Sequence, residues 1–322
     1  MINGIHHITA LASDPQQNVD FYTGVLGLRL VKRTVNFDAP DVYHLYYGDG
    51  IGRPGTILTF FPFPDAARGK RGTGEITAIS FSVPKSSIEF WVHRLSSHGI
   101  HIDGPTTHFN DELISFLDPD GMMIELVFED WSSDERRWPG NPIGPEYAIQ
   151  RIHGSTMQLR AKEQTDRMLI HTLGFKHVSQ SGSGFRYSIG EGVSKAFLDL
   201  LINPGLPYAR QSAGSVHHIA WSIENDESQR EWRQNIINAG LEVTEILDRK
   251  YFHSIYFREP GGVLFEIATN TPGFTVDESF EQLGSRLILP QRFEQQRAKL
   301  ERLLPPLELN LKQHVQELNT LS

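Results

Sequence analysis

The chain has 322 residues, a formal charge of −9 and no cysteine. That length suffices for two domains of common size; the acidic balance argues against nucleic acid, whose phosphates call for basic patches; and the lack of cysteine excludes disulfides and thiolate metal sites. No stretch approaches the ~20 apolar residues of a membrane-spanning helix, and the N-terminus lacks a basic-then-apolar secretory leader. A cytoplasmic protein with no membrane partner is therefore expected.

Read in order, the chain repeats one unit four times. The first unit opens with a strand over Gly4–Leu11. A helix follows from Asp14-Pro15, with Asp14 as N-cap and Pro15 in the first turn, and Gly27 closes it. Strand-like runs Leu28–Phe37, Val42–Tyr47 and Thr56–Phe61 come next. The second unit has strand Glu75–Val83, helix Ser86–His98, Gly99, and shorter strands near Ile114–Leu117 and Met122–Val127. Asp130–Tyr147, broken by Pro139, Pro142 and Pro145, reads as a linker between halves. The third unit runs through strand Gln150–Leu159, helix Gln164–Leu173 and strands Phe175–Ser179, Gly184–Ile189 and Ala196–Ile202. The fourth runs through strand Val216–Ile223, helix Glu227–Ala239 and strands Leu241–Leu247, Ser254–Arg258 and Val263–Ala268. Each unit is β-α-β-β-β. The expected class is α+β, divided into residues 1–145, 146–272 and a tail, 273–322. Within the tail, Arg292–Leu303 reads as a charged helix ended by Pro305-Pro306, and the rest as surface packing or subunit contact.

Two stretches carry the chemistry. Ile5-His6-His7-Ile8-Thr9 and Val216-His217-His218-Ile219-Ala220 each place paired histidines in an apolar strand. An unpartnered buried imidazole is costly, so a shared ligand is the economical explanation. Aligning the units by their first strands puts His7, Ala78, Gly154 and His218 at one position; aligning the last strands on their turn glycines puts Glu125 with Glu266. Side chains alternate along a strand, so His6 and His7 cannot both face one cavity. His7, His218 and Glu266 make a two-histidine, one-carboxylate set suited to a divalent ion with open positions; His6 and His217 in place of His7 and His218 are the internal alternative. Glu125 marks a degenerate counterpart. His44, His93, His108 and His253 read as surface or structural residues.

The repeat and this triad resemble the vicinal oxygen chelate superfamily, which includes glyoxalase I and extradiol dioxygenases. The run from Asp248 through Thr269, containing Arg249, Tyr256 and Glu266, resembles the signature of the para-hydroquinone ring-cleaving dioxygenases. The resemblance covers nearly the whole chain. It implies Fe(II) on His7, His218 and Glu266, with Mn(II) as the other metal the donors accept, and supporting roles for His6, Thr9, His217, Arg249 and Tyr256. It further implies that units one and four enclose the metal in one open barrel, with units two and three forming a metal-free one. Arg249 suits a developing oxyanion, and His217 or Tyr256 the phenolic proton, His217 being the better base. The expected function is a non-haem ring-cleaving dioxygenase taking a small aromatic substrate and both atoms of O2, as a homo-oligomer. A glyoxalase-like isomerase or lyase and a ligand-sequestering protein of the same fold are the alternatives.

Overall fold

The structure is a computed structural model, described here for residues 1–130 and 140–309. Sixteen strands form two curled eight-stranded sheets. Unit one contributes β1 (Ile5–Ala12), β2 (Arg29–Val35), β3 (Tyr43–Gly48) and β4 (Ile57–Pro62), and unit two β5 (Glu75–Pro84), β6 (Asp103–His108), β7 (Asp111–Leu117) and β8 (Met123–Glu129). Unit three contributes β9 (Arg151–Leu159), β10 (Lys176–Ser181), β11 (Gly184–Ile189) and β12 (Ala196–Ile202), and unit four β13 (Val216–Ile223), β14 (Leu247–Asp248), β15 (His253–Arg258) and β16 (Leu264–Thr269). The first sheet has the order β14-β15-β16-β13-β1-β4-β3-β2, which joins units four and one; the second, β10-β11-β12-β9-β5-β8-β7-β6, joins units three and two. The expected pairing of units is therefore observed. Each half of the chain gives one unit to each sheet.

The helices follow their sequence signals. Helix α1 (Pro15–Val19) is capped by Asp14, whose carboxylate accepts from the Gln16 and Gln17 amides at 2.8 and 3.0 Å. It runs on as a π-helical turn to Val25, and Gly27 at φ +71° allows the chain to reverse. Unit three repeats this form in α3 (Glu163–Arg167) and its own π turn, whereas α2 (Ile88–Ser97) and α4 (Asp226–Asn238) are regular. Among the described residues no helix is long and apolar enough to cross a membrane.

The strands depart from expectation in two places. β6 was hidden by its Gly-Pro and threonines and is exposed along nearly its whole length. The run 241–247 is not a full strand: only Leu247 joins the sheet ladder, with an isolated bridge at Val243. Part of the expected linker, residues 131–139, and the end of the tail from 310 lie outside the described residues.

The tail does pack on the protein's own surface. It runs beside β2, the edge of the first sheet, through a bridge between Arg33 and Leu287 and a bond from the Tyr43 hydroxyl to the Pro305 carbonyl at 2.8 Å. Covering an edge strand removes an open template for pairing. The fastening is ionic: Lys32, fully buried, reaches Asp277 at 2.6 Å and Glu278 at 2.5 Å. Asp277 also holds Lys250 at 2.6 Å, next to Arg249. The expected helix forms as a 3-10 segment, Gln291–Gln296, followed by α5 (Arg297–Leu303).

Candidate metal centre

The centre lies where the four inner strands of the first sheet meet. β1 and β13 are antiparallel neighbours, with His7 opposite Ala220 and Thr9 opposite His218, and β16 lies parallel to β13 with Glu266 beside Ala220. Irregularities in the β1–β13 register precede His7 and follow Thr9; such bulges re-aim side chains. Nε2 of His7 and Nε2 of His218 lie 3.3 Å apart, and Glu266 Oε2 is 2.9 Å from the second and 3.4 Å from the first. His6 and His217 do not enter this cluster. Among the described residues this is the group of three that could hold a metal ion.

The fit is testable on the atoms themselves. Glu266 Oε2 is fully buried yet receives no hydrogen bond of good geometry, although His218 Nε2 is within reach. Donors at ~2.1 Å around one ion would stand ~3.0–3.4 Å from each other in octahedral or tetrahedral geometry, the spacing found here. Burial alone would raise the Glu266 carboxyl, but His7 and His218 outweigh it and hold the group well below the usual carboxylate range. The carboxyl is thus anionic. Burial likewise drives His218 down, against the pull of Glu266.

A backbone atom sets the tautomer of His7. His6 Nε2 lies 3.1 Å from the Thr269 carbonyl oxygen, which can only accept, so His6 carries its proton there. Burial and the adjacent His7 lower His6 to about 3, so the ring is neutral and its Nδ1 is bare. That Nδ1 is 2.9 Å from His7 Nδ1, which must supply the proton. With its proton on Nδ1, His7 can present an Nε2 lone pair to a metal, the form that coordination requires. In the second pair the Nδ1 atoms of His217 and His218 are 2.7 Å apart, and burial, then His218, brings His217 down to about 3. Ser254 donates to the other Glu266 oxygen, fixing the carboxylate. Phe252 packs on His6 and His7, with ring centroids at 4.9 and 5.1 Å.

The triad opens onto a cavity of about 500 Å³ lined by His7 and His218, with Phe37, Phe61, Phe63, Phe252, Leu247 and Leu264 as its apolar walls. Thr9, His217, Arg249 and Tyr256 line it as well. Arg249 Nε is 3.3 Å from the Tyr256 hydroxyl, and the guanidinium sits 5.3 Å from that ring's centre. Burial opposes the charge on Arg249, but Tyr256 and Glu266 outweigh it and raise its pKa. Burial, then Glu266, pushes the Tyr256 hydroxyl up. The site therefore pairs one fixed cation with a neutral phenol. A larger cavity of about 750 Å³ lies around Met1–Asn3 and Gly190–Ser194, and no member of the triad lines it.

All eight residues singled out from sequence thus gather within one neighbourhood. Three contributors were missed. Ser254 sits on β15 two residues before Tyr256, a spacing that could have pointed to it. The Thr269 carbonyl has no side-chain signature. His44, expected at the surface or in a structural role, is half-buried, lines the cavity and packs on Tyr46 and Phe61, with ring centroids at 3.9 and 4.2 Å. Its alternation with Tyr46 on β3 was the available signal.

Known proteins resemble this chain over most of its length. The profile of the Glyoxalase/Bleomycin resistance protein/Dioxygenase superfamily matches residues 4–126 and 167–267. A Bacillus subtilis protein provisionally named ring-cleaving dioxygenase MhqO is 41% identical, covering 95% of this chain and 97% of its own. The chlorohydroquinone/hydroquinone 1,2-dioxygenase of Sphingobium indicum is 36% identical, covering 90% of this chain and 92% of its own. A crystal structure of a provisionally assigned dioxygenase from Bacillus subtilis superposes with a TM-score of 0.91 at 41% identity, over 95% of this chain and 98% of that one. The chain belongs to the Glyoxalase/Bleomycin resistance protein/Dioxygenase superfamily and, within it, to the ring-cleaving dioxygenases.

Proposed function

We propose that this protein is an iron(II)-dependent dioxygenase that cleaves hydroquinone-type rings, with His7, His218 and Glu266 holding the metal. The observation that carries the reading is the convergence of two imidazole nitrogens and one carboxylate oxygen within 3.4 Å of each other beside a largely apolar cavity. Two neutral rings and one carboxylate leave a divalent ion with a net charge of about +1 and free positions, which suits a phenolate oxygen and O2. Bound iron(II) supplies the electron transfer that lets O2 react with an aromatic ring. The names of the relatives support both the ring cleavage and the hydroquinone class.

The chain's own residues do the rest. The aromatic walls admit one substituted ring and exclude water, and the cavity volume is ordinary for a small-molecule site. Arg249 stabilises negative charge that develops on the substrate oxygen, and Tyr256, held protonated, donates a hydrogen bond. For His218 to offer Nε2 to the metal, its proton must sit on Nδ1 and be given to His217. His217 then carries its own proton on Nε2. In the resting site it is a donor rather than the base that its residue type suggests, and it can take up the phenolic proton only with a change of tautomer. Oxygen uptake after anaerobic iron(II) loading tests the assignment: consumption of one O2 per hydroquinone is expected, and no uptake with any hydroquinone would defeat it.

A further inference from the structure

Three strands of unit one carry a row of polar side chains that the metal centre leaves unused. The Tyr46 hydroxyl is 2.8 Å from His44 Nδ1, His44 Nε2 is 2.9 Å from Thr59 Oγ1, and Thr59 Oγ1 is 2.9 Å from Thr9 Oγ1. The register produces this row: Tyr46 on β3 pairs with Thr59 on β4, and Thr59 with Thr9 on β1. Tyr46, Thr59 and Thr9 are all buried, and Thr9 shares its strand face with His7.

The row has a direction. The Tyr46 hydroxyl keeps its proton, because burial pushes its pKa well above the ordinary value. Its partner is His44 Nδ1, so it donates there. Burial keeps His44 neutral, and a neutral imidazole that accepts at Nδ1 must donate from Nε2. Thr59 receives that proton and passes its own to Thr9. No acceptor for the Thr9 proton is present among the described residues, and Thr9 lines the cavity.

We propose that His44 is a positioning residue for ring cleavage, which through Thr59 turns the Thr9 hydroxyl into a hydrogen-bond donor aimed at a substrate oxygen. The inference rests on the aromatic-dioxygenase reading and names the part of the wall that recognises the hydroxylated ring. Arg249, Tyr256 and His217 belong to unit four, so the substrate would be gripped from both units.

The test uses iron-loaded full-length protein, hydroquinone turnover, and binding of 4-nitrophenol without oxygen, followed by its absorption. Removing one directed hydrogen bond with T59V is expected to lower kcat/KM and weaken 4-nitrophenol binding each by about tenfold, with iron content unchanged. T59S, which keeps the hydroxyl, should restore both. H44F, which keeps the ring packing, should match T59V, and the double variant should be no worse than either single one, since both break the same chain. Wild-type behaviour of T59V, loss of its iron, or a double variant with multiplied effects would overturn the proposal. If T59V fails to fold, H44F against H44Q, whose amide can still donate to Thr59, makes the same decision. Should the wild type consume no oxygen while T59V still weakens 4-nitrophenol binding, the dioxygenase reading falls and the recognition role stands; turnover that T59V leaves intact gives the reverse.

Discussion

The two sheets share one architecture and solve the problem of a polar interior in opposite ways. In the first, His7 and His218 stand beside one carboxylate, with an orphaned oxygen at the centre of the cluster. In the second, the first-strand positions are Ala78 and Gly154. Gly154 has no room for a ligand: a Cβ there would stand 2.4 Å from the Phe197 carbonyl oxygen. Glu125, the counterpart of Glu266, is bonded to Ser80 and, among the described residues, joins no cluster that could hold a metal ion.

Instead the second sheet is tied by ion pairs. His153 reaches Asp111 at 3.1 Å and Glu129 at 3.4 Å, Arg151 reaches Glu129 at 2.9 Å, and Arg186 bridges Asp199 at 2.7 Å and Asp111. Burial would lower His153, but Asp111 and Glu129 outweigh it and raise its pKa. Glu129, despite burial, falls to about 2 beside His153 and Arg151. Three cations thus meet three anions. A site that neutralises itself has no charge left for a metal, whereas the first sheet's cluster keeps a buried carboxylate oxygen with no hydrogen-bond partner among the described residues.

This contrast can be broken by single substitutions. The largest effect is expected from Glu266→Ala, which removes the one anionic donor: metal binding should be lost and turnover should fall by about a thousandfold or more, while thermal unfolding of the metal-free proteins stays similar. His153→Ala should do the opposite, destabilising the fold by about 3 kcal/mol through the stranded carboxylates and leaving metal stoichiometry at its original value. Chemical denaturation and metal analysis of both variants decide whether the two sites divide the work in this way.

Smaller effects sharpen the same picture. His6→Phe breaks the relay from the Thr269 carbonyl to His7 and should weaken metal affinity by about 10–100-fold, measured by competition with a chelator. The pH dependence of stability should also betray the second site. Because the folded pKa of His153 lies above its ordinary 6.5, its contribution is fully present below that value and is lost as pH rises through the raised folded value. The stability difference between the wild type and His153→Gln should therefore shrink on the alkaline side, in denaturation curves collected from pH 6 upward. A difference that grew with pH would show that the network does not hold the His153 proton.

Much of this was legible in the sequence, for reasons that separate the legible from the rest. The β-α-β-β-β repeat and its helix-ending glycines are local signals, and strand alternation sorts His7 from His6 without any contact information. The pairing of unit one with unit four was reached through the resemblance, since no local rule says which distant strands meet. β6 escaped because glycine, proline and exposed threonines erase the alternating pattern. The His153 network escaped because its acids and bases come from five strands, and each alone resembles an ordinary surface charge. In the sequence His44 reads as one surface or structural histidine among several; only the register of β3, β4 and β1 brings it to Thr59, and Thr59 to Thr9. The Thr269 carbonyl could not have been found, because every residue has one.

Equilibrium iron(II) binding under anaerobic conditions, compared between the wild type and Glu266→Ala, bears most directly on the account. The expected result is one tightly bound iron per wild-type chain and none in the variant. An unaltered stoichiometry in Glu266→Ala, or a wild-type chain that binds no divalent metal at all, would contradict it.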